Sequence, residues 1–234
     1  MLKNKASQAF QLKPVRFVLF GACCSLLGLF FLSMMVVTAS AAAASSPSFF
    51  NTKELKSNDL KAFTKWNKAL ARYSKERSAS GSGGCGSAKL NTCNYGKWMS
   101  FLKSLKDKDL VSQIRAINDY MNRAPYITDA VNWGKKDFWA SPGEFMAKFG
   151  DCEDYAIAKY VSLRLLGYKD ADLRVVAVKD LNLKIGHAIL VVYYKGTPYV
   201  LDNQIKQVVP AAKIKHYLPV FSINSKSWWK HLPS

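Results

Sequence analysis

Cys152 lies in the run Gly150-Asp151-Cys152-Glu153-Asp154-Tyr155-Ala156, a thiol flanked by three carboxylates just ahead of an apolar helical pattern. The positive end of a helix dipole biases a first-turn thiol towards thiolate, while neighbouring carboxylates push the other way. Nucleophilic chemistry at such a thiol needs an imidazole to take its proton and return it to the leaving group. A third group must orient that imidazole. The chain has three histidines. His216, in a lysine-rich segment, and His231, near the C-terminus, read as structural. His187 follows Gly186 at the head of a strand-like run, and Asp202 lies 15 residues further on, across a hairpin. Cys152, His187 and Asp202 are therefore the candidate nucleophile, base and orienter. With the turn centred at Gly196 and Thr197, Asp202 faces Val191, so contact with His187 requires a bulge or a long twisted strand.

The three acids have two readings. Asp151 can cap the helix, and Glu153 and Asp154 can be first-turn acids that the dipole favours. Alternatively Asp151, Glu153 and Asp154 are part of a calcium site, the reading preferred for three carboxylates around one nucleophile. Calcium takes about six to eight oxygens, so further donors are needed, and Asp129, Asn132 and Asp137 in the preceding segment are candidates. Zinc does not suit, because Cys152 has no His or Cys at ligand spacing. The backbone N–H of Cys152 is a candidate oxyanion donor. The indoles of Trp133 and Trp139 are alternatives, although core packing is the commoner use of a tryptophan. Trp228 and Trp229 read equally as a docking patch or as core.

Cysteine usage isolates Cys152. Cys23 and Cys24 stand inside an apolar run, and Cys85 and Cys93 bracket a Gly/Ser-rich stretch whose short spacing suits a disulfide. The start of the chain explains the compartment. Lys3, Lys5, Lys13 and Arg16 precede an apolar stretch from Phe17 to Val37, followed by Ala39-Ser40-Ala41-Ala42-Ala43-Ala44. This is the layout of a secretory signal peptide over residues 1–44. The apolar stretch is long enough to span a bilayer, so an uncleaved anchor is the alternative, and the alanine run favours cleavage. Removing 1–44 takes away four basic residues and no acid, which brings the formal charge from +18 to +14. Such a surface favours acidic partners or anionic membrane faces. Nucleic acid is not expected as a partner, since no binding motif for it is visible.

The remaining elements must hold this constellation. Leu60, Phe63, Trp66, Leu70 and Tyr73 recur at helical spacing, predicting a helix over 58–76. Residues 78–95 read as a Gly/Ser-rich loop closed by the disulfide. Helices follow around Trp98–Leu105 and over 109–123. Ser141-Pro142-Gly143-Glu144 is a capping-box start, and Asp151 caps the helix that carries Cys152 to a stop at Gly167. Strands are expected at 174–179, 187–194, 199–201 and 217–223. Helices first and an antiparallel sheet after indicate an α+β domain. The expected divisions are a signal peptide at 1–44, an extension at 45–57, a catalytic domain at 58–225 and a tail at 226–234.

Trp139-x-Ser141-Pro142-x-Glu144-Phe145, the Gly150–Ala156 run, Gly186-His187-Ala188 and Leu201-Asp202-Asn203 together resemble the bacterial transglutaminase-like cysteine proteinases, over roughly residues 55–225. The resemblance implies a papain/transglutaminase-like fold with the cysteine on a helix and the histidine and aspartate on adjacent strands. Carried over, Cys152 is the nucleophile, His187 the general base and acid, and Asp202 the orienter. It also implies calcium dependence, with Asp151 and Glu153 the best-matched positions. The implied activity is periplasmic cleavage of a large surface adhesin near its N-terminus, at an alanine pair, controlling biofilm attachment. The implied regulator is the periplasmic domain of an inner-membrane cyclic-di-GMP receptor. The Cys85–Cys93 insert is not part of the family motif. A transglutaminase-like acyltransferase or a cell-wall amidase would use the same three residues, and a basic binding module of the same fold is the non-enzymatic alternative.

Overall fold

The computed structural model describes residues 48–79, 85 and 91–233. The leader expected at 1–44 lies outside the described residues, as does most of the Gly/Ser-rich loop. Cys85 and Cys93 are disulfide-bonded. Among the described residues, no helix is long and apolar enough to cross a membrane.

The chain runs β1 (Thr52–Ser57), α1 (Thr64–Ala79), α2 (Thr92–Leu105), α3 (Leu110–Met121), α4 (Asp129–Trp133), α5 (Pro142–Lys148) and α6 (Cys152–Leu165). It continues through β2 (Leu173–Asp180), β3 (Ile185–Tyr194), β4 (Thr197–Leu201), β5 (Val209–Pro210), β6 (Tyr217–Ile223) and β7 (Trp228–Pro233). The strands form one antiparallel sheet ordered β1-β7-β6-β2-β3-β4-β5.

β3 is central and apolar on both faces. Leu190 and Val192 join the core that contains the helices, whereas Ile189, Val191 and Tyr193 join a second core with Val176, Val200 and Tyr217. α6 is buried along almost its whole length. It packs on β2, β3, α3 and α5, so a weakly amphipathic sequence is the right one for it. Burying Ile157 and Leu163 stabilises this position by about 1.5–3 kcal/mol for each side chain. The Cys152 end of α6 is thereby fixed against the sheet.

Two expectations need correction. α1 begins at Thr64 rather than near 58, because Asp59 accepts from the Lys61 N–H at 3.0 Å and makes a local turn that competes with helix. Leu60 and Phe63 still pack on the core from that turn. The divisions at 58 and 225 cut through the sheet, since β1 belongs to the expected extension, β7 to the expected tail, and the two pair with each other. Trp228 and Trp229 are therefore strand residues. Trp228 packs on Phe63, and Trp229 is buried with the Arg174 guanidinium 3.8 Å from its ring. The α4 turn had no sequence signal strong enough to be called.

Candidate active site

The approach to Cys152 is built from the outside in. α1 grips the start of α5: Arg72 Nε donates to Glu144 Oε2 at 2.9 Å, and the Glu76 carboxylate accepts from the Gly143 N–H at 3.0 Å and from the Ser141 hydroxyl. Ser141 and Glu144 complete the expected capping box. A Cβ on Gly143 would stand 2.5 Å from the Glu76 carboxyl carbon, so only glycine admits this grip. After α5 the chain turns sharply at Phe149, which has φ 63°. Gly150 then bridges to Tyr126, with the Ile127 N–H donating to the Gly150 carbonyl at 2.9 Å.

Asp154 holds the turn from behind. Its Oδ1 accepts from the Ala140 N–H at 2.6 Å and its Oδ2 from the Asp151 N–H at 3.3 Å. A Cβ on Gly150 would lie 2.0 Å from Asp154 Oδ2. Glycine at 150 is thus what lets Asp154 reach back over the start of α6.

Cys152 occupies the first helical position of α6 and is the free cysteine among the described residues. Its Sγ lies 3.2 Å from Glu153 Oε2, with the thiol donating. Burial, the Glu153 charge and that hydrogen bond raise the thiol's pKa, and only the Ala188 backbone N–H acts in the opposite direction. The helix that carries this thiol packs on β3, the strand that carries His187. Tyr126 belongs to the same neighbourhood, its pKa raised by burial and by the nearby Cys152 and Asp151.

The β3–β4 hairpin brings His187 and Asp202 together. Its turn is Lys195-Gly196, both at positive φ, the two-residue form that suits strand twist. Leu190 consequently pairs with Leu201. One further step along this register sets Asp202 opposite Ile189, two residues from His187 and diagonal to it. The expected offset to Val191 arose from centring the turn one residue too late. No bulge is needed in this hairpin, and His187 Nε2 lies 2.8 Å from Asp202 Oδ1. Asp202 also accepts from the Gln204 N–H at 2.9 Å and from the Tyr217 hydroxyl at 2.7 Å. Burial raises its pKa, but the His187 hydrogen bond and charge and these two donors outweigh burial and leave it lowered. Gln204 Nε2 stands 3.4 Å from His187 Nδ1.

Five acids gather beside the thiol. Ligand oxygens of Asp129, Asp137 and Glu153, and those of Asp129, Asp151 and Asp154, lie within 4.8 Å of one another, and Asp151 and Glu153 form a further group with Cys152. Burial and the Asp151 charge push Glu153 up to about 8. Burial likewise raises Asp129, Asp151 and Asp154. Asp129 and Asp137 thus join the acids flanking Cys152, as the sequence suggested. The Asn132 amide nitrogen donates to the carbonyls of Lys148 and Phe149.

Other candidates lie elsewhere. His231 is buried between Thr52 and Ser222, and His216 packs edge-on against Tyr217. Trp139 packs against the core, and Trp133 packs at a tilt against Phe138, ring centroids 4.6 Å apart. Gln204, Tyr217 and Tyr126 were not singled out from the sequence. Gln204 follows Leu201-Asp202-Asn203 closely enough to have been weighed as a loop donor, whereas Tyr217 reaches Asp202 only through the pairing of β6 with β2.

A thiol at the start of a helix packed on β3, an imidazole on that strand and a carboxylate on the imidazole can together form and hydrolyse a thioester. The comparisons agree with that chemistry. The chain is similar to calcium-bound LapG of Legionella pneumophila, at 28% identity over 68% of this chain and 87% of that one, with a TM-score of 0.58. It is similar to the EGTA-treated form of the same protein, at 28% identity over 69% and 84%, with a TM-score of 0.56. The helices and seven-stranded antiparallel sheet follow that transglutaminase-like fold. A search of curated protein sequences found no match. The family model described as bacterial transglutaminase-like cysteine proteinase matches residues 85–234, a span that carries Cys152, His187 and Asp202. The chain thus belongs to the bacterial transglutaminase-like cysteine proteinases and is a cysteine protease.

Proposed function

We propose that this chain is a calcium-dependent endopeptidase of the periplasm that releases a large surface adhesin by cutting near its N-terminus, at an alanine pair. The observation that carries the reading is the buried His187–Asp202 pair on the sheet, with the free thiol of Cys152 at the start of the helix that packs on β3. In this reading His187 takes the thiol proton and Cys152 sulfur adds to the scissile carbonyl carbon. The tetrahedral adduct collapses by breaking the C–N bond, and the leaving amine takes the proton from the imidazolium. A water, deprotonated by His187, then attacks the thioester and restores the thiol. Asp202 keeps the ring oriented throughout. The Cys152 backbone N–H, at the start of α6, is the donor assigned to the oxyanion in this reading.

Calcium is supported by the donor set. All five acids offer oxygen, the ligand hard cations prefer. Asp129 Oδ1 and Asp151 Oδ1 are buried without a hydrogen-bond partner, a state that is expensive unless something else satisfies them. Asp129, Asp137, Asp151 and Glu153 would hold the ion, with Asp154 behind them. When bound, calcium supplies positive charge that offsets the carboxylates and so eases ionisation of the thiol. The calcium-bound and EGTA-treated forms of LapG point the same way. Export rests on the 1–44 segment. Control by the periplasmic domain of a cyclic-di-GMP receptor, and with it biofilm detachment, rests on the family resemblance.

The test incubates the protein with an N-terminal adhesin fragment, in calcium or in chelator, and maps the products by mass. A single cut at an alanine pair in calcium and none in chelator is expected. An intact fragment in both conditions, or glutamine–amine adducts in place of a cut, would overturn the reading.

A further inference from the structure

We propose that the tip of the β2–β3 hairpin, residues 181–185, is a docking arm for the polypeptide substrate, holding apolar residues on the leaving-group side of the cut bond. The inference rests on the cysteine protease activity and not on the adhesin proposed above. Leu181 is 48% exposed, Leu183 57% and Ile185 50%. Leu218 of β6, 40% exposed, adds a fourth aliphatic, since it pairs with Lys179 at the base of the arm. Single exposed leucines are ordinary, but several aliphatics on one projection mark a contact surface.

The arm is held in one shape. Asp180 is buried and accepts from the Asn182 N–H at 2.8 Å and from the Leu183 N–H at 3.0 Å. The Leu181 N–H donates to the His216 carbonyl at 2.8 Å. Asp180 pairs with Ile185 across the hairpin and with Tyr217 of β6. Lys184, at φ 59°, turns the chain into β3. The aliphatic side chains are thus presented by an ordered backbone, so a ligand does not have to order it on binding.

The place of the arm beside the site identifies its occupant. Ile185 and His187 alternate onto the same face of β3, two residues and about 7 Å apart. Gly186 between them is exposed, and a Cβ there would meet nothing within 4 Å. The surface therefore stays open up to the imidazole. His187 protonates the leaving amine, so the leaving segment starts over that ring, and the arm is the exposed apolar surface that adjoins it. An extended chain advances about 3.3 Å per residue, which brings its second to fourth residues past the bond onto the arm. Charge narrows the occupant further. Lys179, Lys184 and Lys215 are exposed around the aliphatics, whereas Asp180, the one acid in residues 179–186, is buried. The segment that fits carries apolar residues with acidic neighbours.

The test digests a random peptide library with the full chain and identifies the products by mass. The wild-type profile should favour leucine, isoleucine or valine beside aspartate or glutamate at the second to fourth residues past the cut. The double variant Leu183→Ser, Ile185→Thr should lose that preference and keep the one for residues flanking the bond. On the best library sequence it should raise KM about tenfold with kcat within about twofold. On the same peptide truncated one residue past the cut, the two proteins should match. Leu55→Ser, an equally exposed leucine on the edge strand β1, should match wild type on both peptides. Alkylation of Cys152 by iodoacetamide at the wild-type rate checks that each variant is folded. A wild-type profile without the apolar preference, or a double variant with the wild-type profile and KM, would overturn the inference. Unchanged kinetics with loss of a dimer in size-exclusion chromatography would overturn it too, assigning the surface to a second copy of the chain. Cuts away from alanine pairs would count against the cleavage site proposed above and not against the arm.

Discussion

Asp202 sits diagonally across the β3–β4 hairpin from His187, with Oδ1 2.8 Å from Nε2. An ionised carboxylate can only accept, so Nε2 carries the proton and Nδ1 is the nitrogen available for proton transfer. Replacing Asp202 with Asn removes that constraint and allows the opposite tautomer. Asp202→Asn is expected to lower kcat by about a hundredfold to ten-thousandfold, by analogy with other triads, with KM and far-UV circular dichroism little changed. Steady-state kinetics on a peptide spanning the cut site check this.

Chelation should act on stability as well as turnover. Five carboxylates packed beside one thiol repel one another in the absence of a cation, and a ligand that binds only the folded state stabilises it by mass action. Calcium should raise the melting temperature and restore cleavage after chelation, whereas magnesium, which demands a tighter octahedral shell, should do neither. Glu153→Gln should raise the calcium needed for half-maximal activity by about tenfold or more. Calorimetry and a calcium titration of activity measure both effects.

Gly150 offers a purely steric test. Gly150→Ala drives a methyl group into Asp154 Oδ2, 2.0 Å from the ideal Cβ position. Relief requires Asp154 to release the Ala140 and Asp151 amides. The variant should lose about 2 kcal/mol or more in urea unfolding. Gly134→Ala, where a Cβ meets nothing within 4 Å but φ is 62°, should lose about 1 kcal/mol from backbone strain alone.

Much of this site was legible in the sequence because its signals were local. Ser141 with Glu144, and Asp151 before Cys152, are helix starts that need only neighbouring residues to be read. The His187–Asp202 partnership was legible as a hairpin, but its register was not, because a shift of one residue in the turn moves every pairing. β1 and β7 escaped notice for a different reason. In β1 the inward residues are polar, with Thr52 buried and Glu54 paired to Arg174 at 2.8 Å, and in β7 the buried His231, held by Thr52 and Ser222, follows the buried Trp229, so neither strand shows the apolar alternation that marks one. Tyr217 depends on a contact between distant elements, which no spacing rule reaches.

His231 should report acid destabilisation of that edge of the sheet. Thr52 donates its hydroxyl to the Phe49 carbonyl at 3.0 Å and so accepts from Nδ1–H, leaving Nε2 for the Ser222 hydroxyl. The neutral ring is fully satisfied. Burial and the Arg174 charge lower its pKa from 6.5 to about 4. Between those values the unfolded chain binds more protons, so stability rises with pH. The contribution is complete above about 6.5 and is lost as pH falls towards 4. The melting temperature of wild type should therefore fall more steeply across this window than that of His231→Gln, with a difference of about one proton taken up on unfolding.

The central claim is that Cys152 is the nucleophile of a hydrolytic protease. The most direct measurement compares wild type with Cys152→Ala on the same adhesin fragment in calcium, following cleavage by mass and binding by titration. Lost cleavage with retained binding and an unchanged melting profile is the expected result. Continued cleavage by Cys152→Ala at the wild-type position and rate would contradict the claim.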